Sequence, residues 1–296
     1  DELMPPLKIH GKEPIRVSQK SLQHAAKLLN GSKRPIILVG NGAIRSNASP
    51  EVRAFAEALQ IPVANTFMAK GVFSDKSGLS LGTIGLQAKD YVFYGFENAD
   101  LVITIGYDFV EYDPGQWNPE GSKNILHIDS VPAEIDQNYQ VSCEVVGDIR
   151  GALSALQKLV RKKKVTNEYD AIRDFIRHEL TDFKDDRGFP VKPQKILWDI
   201  REVLDDNDIL VSDVGAHKMW IGRLFPTYEP NTVLISNGLA AMGFSLPSAI
   251  AAKLLYPSRR VLSVCGDAGF MMNVQELETA ARLNLPIVIL IFNDSA

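Results

Sequence analysis

The sequence has few cysteines, no excess of basic residues and no long apolar run. Its two cysteines, Cys143 and Cys265, lie far apart without metal-site spacing, so we expect two reduced, buried thiols. A net charge of −4 argues against a nucleic-acid partner. Apolar runs such as residues 287–292 fall well short of the ~20 residues that cross a bilayer, and no signal pattern is present. We therefore expect a cytoplasmic chain with no membrane partner.

The composition is that of an ordinary globular protein. The chain has 296 residues, of which 45% are hydrophobic and 23% charged, and this length predicts about two domains. Residues 1–14 are extended in character and punctuated by proline, which is typical of a linker. We expect that another segment precedes this linker, and that the chain is truncated after its last apolar strand.

Short apolar strands alternate with helices in two regions. Residues 15–163 form the first predicted domain, residues 164–192 a charged linker with a helical centre, and residues 193–296 the second domain. Such alternation predicts an α/β fold of two doubly wound parallel sheets, each covered by helices on both faces. The predicted strands are 35–40, 62–66, 101–106, 124–129, 209–215, 232–238, 260–267 and 287–294, and the predicted helices are 18–29, 50–59, 149–160, 240–255 and 273–283.

Four turns of the second domain follow strand ends, where ligands bind in doubly wound sheets. They are residues 212–218, 236–244, 265–270 and 293–296. A strand–helix–strand unit of this length brings Asp267 and Asp294 to one edge of the sheet. Either aspartate alone would more readily cap a helix or a turn, but together they favour Mg²⁺ that also ligates a phosphate.

A glycine-containing loop, residues 39–49, follows a predicted strand of the first domain. Glycines at such a place permit close approach of a dinucleotide phosphate. The loop lacks the third glycine at the expected spacing and a clear acid for the ribose. We therefore interpret it as a scaffold turn without a nucleotide.

The stretch "GDAGFMMNVQELETAARLNLPIVILIFND" resembles the thiamine-diphosphate motif that begins Gly-Asp-Gly and ends in Asn-Asn. "SNGLAAMGFSLPSAIAA" and "DVGAHKMW" resemble the two other cofactor turns of the acetolactate synthase family, and "ILHIDSVPAEIDQNY" and "VVGDI" resemble its central domain. The resemblance covers nearly the whole chain. It implies a central domain followed by an incomplete C-terminal domain that binds thiamine diphosphate and Mg²⁺.

The resemblance also implies roles for individual residues. Ala240 would offer its carbonyl group to the aminopyrimidine, and Met242 would bind the ring and hold the cofactor bent. Without the family, Met242 is ordinary core packing and His217 is equally well a surface residue at a helix start. The activating glutamate belongs to an N-terminal domain that this chain lacks. The implied diphosphate contacts are Gly215, Ala216, His217, Ala268 and Gly269, and the implied Mg²⁺ ligands are Asp267, Asp294 and the carbonyl oxygen of Ala296.

Two features resemble the catabolic, FAD-independent type of acetolactate synthase: the acid at Asp294 and the stretch "IGYDFVEYDPGQWNP". This type condenses two pyruvate molecules to 2-acetolactate and CO₂, through the carbanion left when the first pyruvate is decarboxylated. The family site forms between subunits, so we expect a homodimer or homotetramer. Three alternatives stay open: an FAD-dependent anabolic synthase, another thiamine-diphosphate 2-keto-acid decarboxylase, and a non-catalytic module that binds a nucleotide or a partner.

Overall fold

The computed structural model describes residues 15–86, 90–163 and 169–293. These residues form two parallel sheets, of six and four strands, with interspersed helices, which confirms the predicted α/β class. Cys143 and Cys265 are buried free thiols, as expected. In the described ranges, no helix combines the length and apolar character needed to span a membrane.

The six-stranded sheet has the order β3-β2-β1-β4-β5-β6. All five residues of β1 are buried, and they alternate between the two faces of the sheet. Ile37 packs in a core with Leu22 and Phe55, whereas Ile36 packs on the opposite face with Phe96 and Trp117. The strands are β1 (Pro35–Val39), β2 (Val63–Asn65), β3 (Ser80–Thr83), β4 (Leu101–Ile105), β5 (Asn124–Asp129) and β6 (Cys143–Val146).

Helices cover both faces of this sheet. The side chain of Asp148 caps α6 by accepting a hydrogen bond from the Gly151 amide, 3.1 Å away. Strands β3 and β6 were not predicted, because Gly82 in β3 and Glu144 in β6 break the apolar runs that predicted the other strands. The helices are α1 (Gln19–Gly31), α2 (Asn41–Arg45), α3 (Ser49–Leu59), α4 (Phe93–Glu97), α5 (Pro114–Trp117) and α6 (Ile149–Leu159), with a short 3₁₀ turn at Phe67–Ala69.

The second sheet has the order β10-β9-β7-β8. A helix, α7, lies in the described part of the 164–192 segment, in agreement with its predicted helical centre. The elements are α7 (Asp170–Thr181), α8 (Pro193–Val203), β7 (Ile209–Ser212), α9 (Ala216–Leu224), β8 (Val233–Ile235), α10 (Ser245–Leu255), β9 (Val261–Gly266), α11 (Asp267–Met272), α12 (Glu276–Arg282) and β10 (Val288–Phe292).

Two predicted helices of this domain were wrong at their starts. The helix predicted from residue 240 begins at Ser245, because Gly238, Ala240 and Gly243 all adopt positive φ angles and form a turn instead. The helix predicted over residues 273–283 is α12, which is shorter and begins at Glu276. A separate helix, α11, precedes it directly after β9.

Side chains of the first domain bond the main chain of the second. The guanidinium group of Arg53 donates to the carbonyl oxygen of Val72 within its own domain and to that of Tyr228 across the boundary, each at 2.9 Å. The buried ammonium group of Lys70 donates to the carbonyl oxygen of Gly222 at 3.1 Å. The two sheets are therefore joined by hydrogen bonds in addition to the linker.

Candidate functional site

The candidate site lies at the carboxyl edge of the four-stranded sheet. Because β7, β8, β9 and β10 are parallel, the residues that follow them reach the same edge. Gly266 pairs with Phe292 in the register of β9 and β10, so Asp267 and Asn293 follow paired positions. Asp294 lies outside the described residues, and its pairing with Asp267 stays a prediction.

Asp213, the residue after β7, holds two of the turns together. Its carboxylate is 1% exposed and accepts hydrogen bonds from the Val214 amide at 2.7 Å and from the Gly243 amide at 3.0 Å. The Ser245 hydroxyl lies 3.3 Å from the same carboxylate. Asp213 thereby fixes the start of α10, and the turn before it, against the end of β7. The sequence analysis quoted this residue within a turn but gave it no role.

The third turn packs against the same carboxylate. A Cβ atom added to Gly269 would lie 3.0 Å from a carboxylate oxygen of Asp213, and one added to Gly215 would lie 2.7 Å from the His217 ring. Neither glycine has room for a side chain. Gly215 and Ala216 are exposed at the start of α9, whose first amide groups form the positive end of the helix. Ala268, beside Gly269, is exposed as well. The edge can therefore accept a phosphate close to its main chain.

His217 is buried and stacks on Phe292, with ring centroids 5.8 Å apart. Its Nε2 atom has no hydrogen-bond partner among the described residues. Burial lowers the pKa of His217, against the opposing effects of the Asp213 charge and of a hydrogen bond with the Asp213 main chain. A neutral imidazole with an unsatisfied nitrogen fits a residue that bonds a ligand at this edge.

This lowered pKa predicts a pH-dependent stability. In the unfolded chain His217 has the ordinary pKa of about 6.5, whereas in the folded chain its pKa is lower. Below about pH 6.5 the unfolded chain binds more protons at His217 than the folded chain does. The free energy of unfolding is therefore highest above that pH and decreases as the pH falls below it. We expect His217→Phe to lose less stability than the wild type between pH 7.5 and 5.5 in urea unfolding. His24→Gln, at an exposed position in α1, is the control, and parallel profiles for all three proteins would contradict the assignment.

The turn after β8 is held in a strained conformation. Ala240 has a φ angle of 48°, which costs a residue with a Cβ atom about 1–2 kcal/mol. Behind it, the side chain of Asn273 donates to the Gly243 carbonyl oxygen at 2.7 Å. Met242 is 40% exposed and Leu239 is fully exposed. The turn therefore presents apolar side chains above the sheet edge, and Met242 is not the core residue of the alternative interpretation.

Of the predicted magnesium ligands, only Asp267 lies among the described residues. Asp267 is exposed as the first residue of α11, and its carboxylate accepts a hydrogen bond from the Ala268 amide at 2.7 Å. Within residues 15–86, 90–163 and 169–293, no three His, Cys, Asp or Glu side chains converge on a possible metal position. Asp294 and Ala296 lie outside these ranges, so the magnesium ligands remain predicted. An exposed carboxylate at a strand end fits a hard cation.

A buried acid that the sequence analysis missed lies where the two domains meet. The carboxylate of Glu111 accepts hydrogen bonds from the Asn41 amide at 2.9 Å and from the Thr66 hydroxyl at 2.6 Å. Burial raises the pKa of Glu111, against these hydrogen bonds. Its carbonyl oxygen accepts a hydrogen bond at 2.8 Å from the side chain of Asn237, in the turn after β8. Glu111 stands in the stretch "IGYDFVEYDPGQWNP", but no pattern there indicates burial.

Lys218 is the second buried charge at this boundary. Its ammonium group donates to the side-chain oxygen of Asn237 at 2.6 Å and lies 5.0 Å from the centre of the Phe67 ring. Burial lowers the pKa of Lys218. Asn237 thus joins a lysine of the second domain to a carbonyl group of the first.

Comparisons with known proteins agree with this geometry. The chain is 36% identical to acetolactate synthase of Bacillus subtilis (93% of this chain, 49% of the relative). It is 39% identical to a probable acetolactate synthase large subunit of Methanocaldococcus jannaschii (92% and 48%). It is 33% identical to the acetolactate synthase isozyme 1 large subunit of Escherichia coli (94% and 49%). The chain spans about half the length of these curated relatives.

Two family models match the chain. Residues 22–156 match the central domain of thiamine pyrophosphate enzymes, and residues 213–296 match their C-terminal TPP binding domain. Strands β8, β9 and β10 and nearly all of the turns at the carboxyl edge lie within the second match, whereas β7 ends one residue before it. The family resemblance inferred from the sequence is thereby confirmed: the chain belongs to the thiamine pyrophosphate enzymes.

Proposed function

We propose that this chain is the central and C-terminal part of an acetolactate synthase, which condenses two pyruvate molecules to 2-acetolactate and CO₂. The names of its relatives support this reaction. The structural observation that carries the proposal is the meeting of the three family turns at one sheet edge, around the carboxylate of Asp213. The strained turn at Ala240 supports a ligand-binding role of this edge.

We assign the two ends of thiamine diphosphate to different parts of the edge. When bound, it supplies the carbon nucleophile and the electron sink that decarboxylation of a 2-keto acid requires. The amide groups at the starts of α9 and α11 would hold the diphosphate, at Gly215, Ala216, Ala268 and Gly269, with His217 Nε2 beside them. Asp267, Asp294 and the Ala296 carbonyl oxygen would hold the Mg²⁺ that neutralises the diphosphate.

The turn after β8 would bind the reactive end. The left-handed Ala240 would offer its carbonyl oxygen to the aminopyrimidine, and the exposed Met242 side chain would pack against the cofactor. Asp213 bonds the Gly243 amide and so fixes the position of Met242, which is the adjacent residue. Met242 and the exposed Leu239 would exclude water from the reacting carbon.

We further propose that the enzyme works without FAD. The central sheet reverses its strand order between β1 and β4, which is where doubly wound sheets bind nucleotide phosphates. In this chain the Glu111 carboxylate bonds the Asn41 amide at the start of α2 and so takes the position of such a phosphate. A dinucleotide phosphate would meet a like charge there.

Product analysis of the full-length parent tests the proposal. We expect 2-acetolactate from pyruvate, thiamine diphosphate and Mg²⁺ without added FAD. Product only with FAD would favour the anabolic synthase, and acetaldehyde alone would favour a decarboxylase. No Mg²⁺-dependent affinity for thiamine diphosphate would favour the non-catalytic module. We also propose a homodimer or homotetramer, which light scattering tests, and a fully active monomer would contradict it.

A further inference from the structure

Lys218 is a buried cation without an acidic partner. It is 8% exposed, and no carboxylate of the described residues lies within 4.0 Å of its ammonium group. Lys70, also buried, has Asp75 at 3.6 Å. A buried charge is costly unless a counter-charge or hydrogen bonds compensate it.

The position of Lys218 in its helix increases this cost. It is the third residue of α9, at the positive end of the helix dipole, where a cation is unfavourable. Lys253, another buried lysine of the same domain, lies in the last turn of α10, where the dipole favours a cation, and donates to the Arg259 carbonyl oxygen. Lys218 therefore lacks the compensation that Lys253 has, and its positive charge suits an anionic ligand.

The surroundings fix the ammonium group and leave it donors to use. Asn237 accepts one hydrogen bond from Lys218, and its own amide group is held by the Glu111 carbonyl oxygen. An ammonium group has three donors, and no described residue accepts a hydrogen bond from the other two. Gly238 and Leu239, which follow Asn237, are exposed, so the turn that Lys218 contacts borders open space.

We propose that Lys218 binds the carboxylate of the acceptor 2-keto acid. This binding makes carbon–carbon bond formation prevail over protonation. This inference rests on the proposed acetolactate synthase function. Lys218 contacts the turn after β8. The start of α11 and the proposed metal ligands follow β9 and β10, which lie on the other side of β7. The ammonium group therefore lies on the side of the reactive end and not on the metal side.

The charge of Lys218 suits the acceptor and not the donor. The donor pyruvate loses its carboxylate as neutral CO₂, so an ammonium group bound to it would stabilise the ground state and slow the reaction. The acceptor keeps its carboxylate throughout. A bond forms between the carbon that lost CO₂ and the acceptor's ketone carbon, and the ketone oxygen takes one proton. Two pyruvate anions and one proton thus give one 2-acetolactate anion and CO₂, and without an acceptor one pyruvate and one proton give acetaldehyde and CO₂.

Product partition in the full-length parent tests this role. We expect Lys218→Met to release CO₂ at a rate within a few fold of the wild type, with acetaldehyde as the main product. The pyruvate concentration for half-maximal 2-acetolactate formation should rise at least about tenfold, because a desolvated ion pair with the acceptor is lost. Lys218→Arg, which keeps the charge, should restore part of the 2-acetolactate yield. Lys253→Met, the matched loss of a buried ammonium group, should keep the wild-type ratio of products.

Three results would overturn the inference. One is a wild-type product ratio and pyruvate dependence in Lys218→Met. Another is a loss of thiamine-diphosphate affinity in that variant, which would make Lys218 a cofactor ligand. The third is a wild-type parent that forms no 2-acetolactate, which would contradict the proposed function and this inference together. The wild-type assay alone shows this result, so it is distinguishable from a failure of the Lys218 inference. If Lys218→Met does not fold, Lys218→Gln gives the same readout, since glutamine retains a donor for Asn237.

Discussion

Replacing Asp267 by asparagine is expected to reduce the Mg²⁺-dependent affinity of the full-length parent for thiamine diphosphate by at least about a hundredfold, with a matching loss of turnover. Asp267 is exposed at the carboxyl end of β9, where it begins α11. Asparagine preserves the size of the side chain and removes the charge that a hard cation requires. Calorimetric titration with thiamine diphosphate at several Mg²⁺ concentrations measures the effect.

The matched control is Asp199→Asn, which removes an exposed carboxylate of α8 that pairs with Lys195 away from the sheet edge. It should leave cofactor affinity and activity unchanged. Asp267→Asn with normal affinity would mean that Asp267 serves only the first turn of α11, through its hydrogen bond with the Ala268 amide. The proposed metal site would then be wrong.

Replacing Asp213 by alanine is expected to lower the free energy of unfolding of this chain by about 3 kcal/mol, since the buried Gly243 amide and the partly buried Val214 amide lose their acceptor. The turn that carries Met242 would also lose its attachment to β7. We therefore expect the full-length parent to lose most of its turnover at saturating thiamine diphosphate. Urea unfolding and steady-state kinetics measure the two effects.

Ser263→Ala provides the comparison in the same sheet. The hydroxyl group of Ser263 is buried in β9 and has no hydrogen-bond partner among the described residues, so its removal should change stability by less than about 1 kcal/mol. Equal losses for Asp213→Ala and Ser263→Ala would show that the Asp213 carboxylate is not the centre of the turn arrangement.

The sequence predicts most strands of this fold because their buried runs have no polar interruption. β1 and β4 are buried at every residue and were recognised directly. β3 and β6 were missed because a strand at the edge of the sheet is partly polar. The predicted start of α10 was wrong because Ala240, Ala241 and Met242 are good helix formers, whereas hydrogen bonds with distant residues hold this segment in a turn.

Within the site, the sequence predicts which residues lie in the turns at the sheet edge. It does not predict which residues hold these turns together. Asp267 and Gly215 stand in local motifs. The roles of Asp213, Glu111 and Lys218 depend on contacts with residues far along the chain, at Gly243, Asn41 and Asn237. A single sequence contains no record of such pairs. The nearest indication was position, since Asp213 directly follows a strand at the edge where ligands bind.

The hydrogen bonds between the two domains have a consequence for how the molecule unfolds. Arg53 bonds the Val72 and Tyr228 carbonyl oxygens, and Lys70 bonds that of Gly222. Melting of the second sheet would leave the buried Lys70 ammonium group and the partly buried Arg53 guanidinium group without these acceptors, so each domain is coupled to the other. Calorimetry should therefore record one cooperative transition for the chain, and Arg53→Ala should separate it into two. We thus expect the two domains that the family models match to unfold as one cooperative unit.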